Sequence, residues 1–214
     1  TYIFLCEIVK INEKNVPEYV KNMDKKSYFV ILFHPETLTN INVLDQVNEL
    51  LNAIKRYSQY KYVFLGTNAD TYSDIIRKRI KDYVDENSNA VYIENLHTDA
   101  YHYMLKNSIC LIGNSSSGII EAPSLGIYTI NIGDRQKGRV RGNSVIDVKC
   151  DRKQIDEAIS RVINMKDNIE INNPYYKENS IKEYYKYTKM ILEHIIDDIK
   201  EPKIFYDIKM QEDI

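Results

Sequence analysis

The chain has 214 residues, 43% of them hydrophobic, enough to bury one proper core with room only for a small second domain. A formal net charge of −2 gives the surface no overall basic field, so neither nucleic acid nor a membrane is expected as a partner. Three cysteines, with no CxxC pair and no zinc-like histidine spacing, predict no metal or cofactor and fit a reducing, cytoplasmic setting.

Residues 1–26 read as a connecting or packing segment. They begin at Thr1 rather than Met, which suggests a processed or partial polypeptide, and residues 1–9 lack the basic start of a signal peptide. From Tyr28 onward, short apolar runs alternate with amphipathic stretches. Strands are predicted at residues 28–33, 62–66, 90–93, 109–113, 128–132 and 144–148, and their continuous apolar character points to burial on both faces. A helix is predicted over 42–57, with Leu44, Val47, Leu51 and Ile54 on one face. Ile75, Ile76, Ile80, Tyr83 and Val84 share a similar spacing in the next one.

Shorter helices are predicted at 99–107 and 118–125, the second stopped by Gly126. Asp151 with Gln154, and Ser180 with Glu183, are plausible capping pairs for helices running to about Met165 and Ile199. Cys110 falls in an apolar run and is expected to be a buried small hydrophobe. No apolar stretch approaches the roughly 18 residues that a membrane helix needs. The rhythm predicts an α/β, doubly wound, Rossmann-like parallel sheet over residues 27–200, with 201–214 as a terminal tail.

In such a sheet ligands bind where strands feed into the following loops. Gly113-Asn114-Ser115-Ser116-Ser117-Gly118 follows one strand and opens a helix. Small residues admit an anion to the backbone, three hydroxyls add donors, and a helix start favours negative charge. A capped turn without a ligand has the same pattern. Glu121, just beyond, is suited to accept ribose hydroxyls, or is merely stabilised by the helix dipole. Residues 133–142 hold four cations and three glycines, a composition suited to a diphosphate or to a solvated loop. His34 ends the first strand, where a phosphate contact or a proton shuttle are both open to it. His97, His102 and His194 show no pattern that assigns a role.

Taken in order, residues 113–126, Arg135-Gln136-x-Gly138-Arg139 and His34-Pro35-x-Thr37 resemble the carboxyl-terminal domain of UDP-N-acetylglucosamine 2-epimerases. The resemblance spans about 28–148 and continues through Asn173-Pro174-Tyr175 toward the last helix. It implies a domain like the carboxyl-terminal half of the GT-B fold, with a UDP-sugar as ligand. By position it implies that Ser115, Ser116, Ser117 and Gly118 hold the diphosphate and that Glu121 binds the ribose. Arg139 takes the place of the phosphate-contacting arginine, assisted by Arg135, and Tyr101 that of the aromatic beside the uracil. His34 matches the histidine facing the diphosphate and is the candidate catalytic residue.

Asn114 departs from the acidic residue of the non-hydrolysing bacterial branch. With the other two motifs it looks more like the hydrolysing, sialic-acid-type branch. The chemistry implied is elimination of UDP to a glycal followed by addition of water. In the family the base at C2 comes from carboxylates of an amino-terminal domain, for which the residues before His34 are too few. The expectation is therefore a nucleotide-binding half that is inactive alone, with a homodimer left open. A GT-B glycosyltransferase and a non-catalytic nucleotide-sugar-binding module remain as alternatives.

Overall fold

The structure, a computed structural model, describes residues 11–66, 71–165 and 170–198, with side chains as far as Glu193. Cys6, the start of the chain, the 201–214 tail, the expected helix end at Ile199 and the His194 side chain lie outside the described residues.

Six strands form one sheet: β1 (Tyr28–Leu32), β2 (Lys61–Leu65), β3 (Ala90–Ile93), β4 (Cys110–Gly113), β5 (Tyr128–Ile132) and β6 (Val145–Val148). All pairings are parallel, and the order is β3-β2-β1-β4-β5-β6. Because side chains alternate across a strand, one run feeds two cores. Phe29, Ile31, Tyr62, Phe64, Cys110, Ile112, Ile130 and Ile132 face one layer; Tyr28, Val30, Val63, Leu65 and Leu111 face the other. Two-sided burial holds for β1, β2, β4 and β5. The edge strands β3 and β6 depart from it, with Val91 and Asp147 exposed, because an edge has helices covering less of it. Cys110 is fully buried, and burial pushes its thiol up to about 12, so it is inert packing.

The helices are α1 (Glu18–Lys21), α2 (Val43–Ile54), α3 (Ser73–Glu86), α4 (Thr98–Asn107), α5 (Ser117–Ile120), α6 (Arg152–Ile163) and α7 (Ser180–Asp198). Val47, Leu50, Leu51 and Ile54 of α2, Ile76, Ile80 and Tyr83 of α3, and Ile155, Ile159 and Val162 of α6 close the first core. Val16, Val20 of α1, Met104 and Leu105 of α4, with Ala122 and Ile127, close the second. Leu44 and Ile75, expected on the buried faces, are exposed. Their helices are centred on Leu50–Leu51 and Ile76–Ile80, which leaves both at the rim.

Helix ends follow side-chain chemistry. Asn42 caps α2 by accepting from the Asp45 N–H, and Asp151 caps α6 by accepting from the Gln154 N–H. Gln154 Oε1 accepts from Lys149 N instead of the cap's own N–H, so only half of the expected reciprocal pair forms. Ser180 does not cap α7. It is the first helical residue, Asn179 before it has φ +58°, and the buried Ser180 hydroxyl oxygen has no hydrogen-bond partner. The helix expected over 118–125 is also broken. A short 3-10 turn at Ala122–Leu125 follows α5, because Pro123 lacks an N–H and its ring crowds the carbonyl four residues back. Gly126, at φ +72°, ends that turn as its position suggests. No helix among the described residues is long and apolar enough to cross a membrane.

Candidate functional site

The strand order reverses between β1 and β4, which opens a crevice beyond their carboxyl ends. Asn114, fully buried, follows β4 directly at that switch point. Its Oδ1 accepts from His34 N at 2.7 Å and its Nδ2 donates to His34 O at 2.9 Å. One carboxamide thus satisfies both backbone groups of a residue eighty positions away. His34, 3% exposed, is held at the switch point by its own main chain.

Ser115, Ser116 and Ser117 follow directly. The Tyr101 hydroxyl lies 2.6 Å from Ser117 Oγ, and Ser117 Oγ donates to Ser115 Oγ at 3.2 Å. Ser117 Oγ gives its hydrogen to Ser115, which leaves Tyr101 as the donor of the first pair; burial, with Glu121 nearby, pushes the Tyr101 hydroxyl above its ordinary range. Gly118 lets the turn lie against β5: a Cβ there would meet Thr129 Cγ2 at 2.5 Å, and the Thr129 hydroxyl donates to Gly118 O at 2.7 Å. α5 is only one turn long, so the helix-dipole contribution expected from the sequence is small. The N–H groups of Ser117, Gly118 and Ile119 already donate to Ser115 and Ser116, so the serine hydroxyls are the groups of this turn suited to an anion.

A hollow of about 230 Å³ sits at this end of the sheet and has His34, Tyr101 and Ser115 in its wall, together with Gly66, Glu94 and Asn95. Ser116, Ser117, Gly118, Glu121, Arg135 and Arg139 are not among its lining residues. Glu121 instead meets His102, whose Nε2 lies 2.8 Å from Glu121 Oε2. The sequence offered no role for His102 because its partner comes from another element. His97 likewise has a structural one: its Nδ1 accepts from Asp99 N and caps α4.

The basic loop between β5 and β6 folds on itself. Arg141 donates to the carbonyls of Arg139 (2.6 Å) and Gln136 (3.2 Å) and pairs with Asp147 at 2.7 Å. Lys137 is exposed beside Asp134. Arg141 and Lys137 are thus engaged within the loop region. Arg135 and the buried Gln136 side chain both reach the Asn114 carbonyl, at 3.4 and 2.9 Å, and dock this loop on the serine turn. Glu36 Oε1 accepts from Asp134 N on the loop's other flank; burial raises that carboxyl above its usual range. No described group of three or more His, Cys, Asp or Glu side chains is arranged to hold a metal ion.

The chain has relatives among known proteins. The profile of the family described as UDP-N-acetylglucosamine 2-epimerase matches residues 5–188. The chain is 45% identical over 191 residues to the polysialic acid biosynthesis protein P7 of Escherichia coli, covering 86% of this chain and 47% of that protein. It is 32% identical over 153 residues to the GDP/UDP-N,N'-diacetylbacillosamine 2-epimerase (hydrolyzing) of Campylobacter jejuni, covering 71% of this chain and 39% of that one. The chain thus spans less than half the length of these two relatives. Among solved structures, the Methanocaldococcus jannaschii UDP-GlcNAc 2-epimerase in complex with UDP-GlcNAc and UDP superposes with a TM-score of 0.67 at 16% identity. That match covers 89% of this chain and 53% of the other, and at such identity shows the shared fold. An α/β Rossmann-like sheet, the serine turn at its switch point and a profile match over most of its length have one conclusion: the chain belongs to the UDP-N-acetylglucosamine 2-epimerase family.

Proposed function

We propose that this chain is the UDP-binding half of a hydrolysing UDP-N-acetylglucosamine 2-epimerase acting on UDP-GlcNAc or a related UDP-N-acetylhexosamine. The observation that carries the reading is the convergence of His34, Tyr101 and Ser115 on one hollow at the switch point, with Asn114 bolting the two strand ends together. Ser115 already receives the Ser117 hydroxyl, so its own hydrogen is left to donate to a phosphate oxygen. In this reading Ser115, Ser116, Ser117 and Gly118 hold the diphosphate, Arg135 and Arg139 neutralise it, Glu121 takes the ribose and Tyr101 flanks the base. The relative named as a hydrolyzing 2-epimerase, at 32% identity, supports the hydrolysing outcome.

The reaction removes the C2 proton and breaks the C1–oxygen bond, expelling UDP and leaving a glycal. Water then adds across the double bond and releases an N-acetylmannosamine-type sugar. Charge grows on the departing diphosphate as that bond breaks, so donors fixed in place before reaction stabilise the transition state most. The serine hydroxyls, Arg135 and Arg139 supply that stabilisation, with His34 facing the same phosphates. The base at C2 belongs to the other domain of the GT-B arrangement, so these 214 residues alone bind but do not turn over.

Titration calorimetry of the chain tests this. UDP is expected to bind at least about tenfold more tightly than ADP, a difference of about 1.4 kcal/mol. UDP-GlcNAc incubated with the chain is expected to remain intact. Equal affinity for the two nucleotides, or no affinity for UDP, contradicts the binding assignment. Steady release of UDP contradicts the assignment of the base to another domain.

A further inference from the structure

His102 and Glu121 come from different elements, α4 and the end of α5, and meet at 2.8 Å with side chains only 11% and 19% exposed. α4 is a rigid base for this contact. Met104 and Leu105 are fully buried, the Tyr28 hydroxyl donates to Met104 O at 2.7 Å, and Asp99 accepts from Asn12 N and Asn15 Nδ2. Tyr101, the residue before His102, holds Ser117 at the other end of α5. Consecutive residues of α4 therefore grip both ends of the turn that carries the anion-binding hydroxyls.

A carboxylate has two oxygens and about four acceptor positions. His102 Nε2 occupies Oε2 and leaves Oε1 for a ligand. An unheld glutamate would have to be ordered by the ligand at binding, at a cost of up to about 2 kcal/mol of rotamer freedom. We propose that His102 is a positioning residue for Glu121, fixing one carboxylate oxygen so that the other is presented to the vicinal hydroxyls of a ribose. This rests on the reading of Glu121 as the ribose acceptor.

The test is the ratio of affinities for UDP and 2′-deoxy-UDP, measured by calorimetry on the full chain and three variants. Losing one hydrogen bond to a charged group corresponds to about a tenfold ratio or more for the parent chain. His102→Leu is expected to bring that ratio within about threefold while binding 2′-deoxy-UDP as tightly as the parent does. His102→Asn, whose amide stops short of Glu121, is expected to behave like the leucine variant. His102→Gln puts an amide nitrogen near the position of Nε2 and is expected to restore the ratio. A parental ratio kept in both His102→Leu and His102→Asn overturns the positioning role and leaves the ribose reading standing. So does an equal loss of affinity for both nucleotides, which marks a merely structural residue. A parent chain that does not prefer UDP over 2′-deoxy-UDP overturns the ribose reading itself, and the positioning role with it.

Discussion

Gly113→Ala is expected to destabilise the fold by at least about 3 kcal/mol, lowering Tm by about 6–12 °C for a domain of this size. Gly113 pairs with Leu32 across β1 and β4, at φ +149°. A Cβ there would lie 2.0 Å from Leu32 O and 2.6 Å from its carbonyl carbon. Those are backbone atoms of the adjoining strand, so no side-chain rotation relieves the clash, and the strands must part where the crevice opens. Nucleotide affinity should fall with stability, because His34 and the serine turn sit on the two ends that separate. A thermal melt within about 2 °C of the parent chain contradicts this account of the turn.

Asn114→Asp is expected to cost about 3–5 kcal/mol at neutral pH, more than most single substitutions. The aspartate keeps an acceptor for His34 N but loses the donor to His34 O, which places a buried carboxylate oxygen against a carbonyl. Burial disfavours the charged form, so the folded-state pKa of the new carboxyl is raised above its unfolded value. At low pH that carboxyl is neutral in the folded and the unfolded chain alike. The deficit opens as pH rises past about 4 and is complete above the folded pKa. Urea denaturation at several pH values, compared with Asn114→Ala, reads this directly. A variant within about 1 kcal/mol of the parent at pH 7 shows that the amide's donor is dispensable.

Asn114 also marks the limit of what the sequence makes legible. The serine turn, the glycine before it and the acid after it are neighbours in the chain, so their chemistry is readable from local order. The central strands are equally readable, since burial on both faces leaves unbroken apolar runs such as Tyr28–Leu32. What cannot be read is the partner of a side chain when it arrives from another element. Asn114 with His34, His102 with Glu121, and Gln136 with the Asn114 carbonyl depend on how the layers dock.

Helix faces fail for a related reason. Periodicity marks which side is apolar, and only the docked neighbours decide whether Leu44 or Ile75 falls at the centre or at the rim. The break at Glu121 was signalled by Pro123, whose missing N–H weighs more than the apolar pattern around it. The basic loop looked like a uniform cation cluster. In the structure Arg141 has been spent on shaping it, through two carbonyls and Asp147.

A crystal structure of this chain soaked with UDP addresses the cradle itself. The diphosphate is expected against the Ser115–Ser117 hydroxyls with Arg139 or Arg135 on its oxygens, and the ribose within hydrogen-bond reach of Glu121. UDP seated on any other surface, or a diphosphate that touches none of those serines, contradicts the assignment.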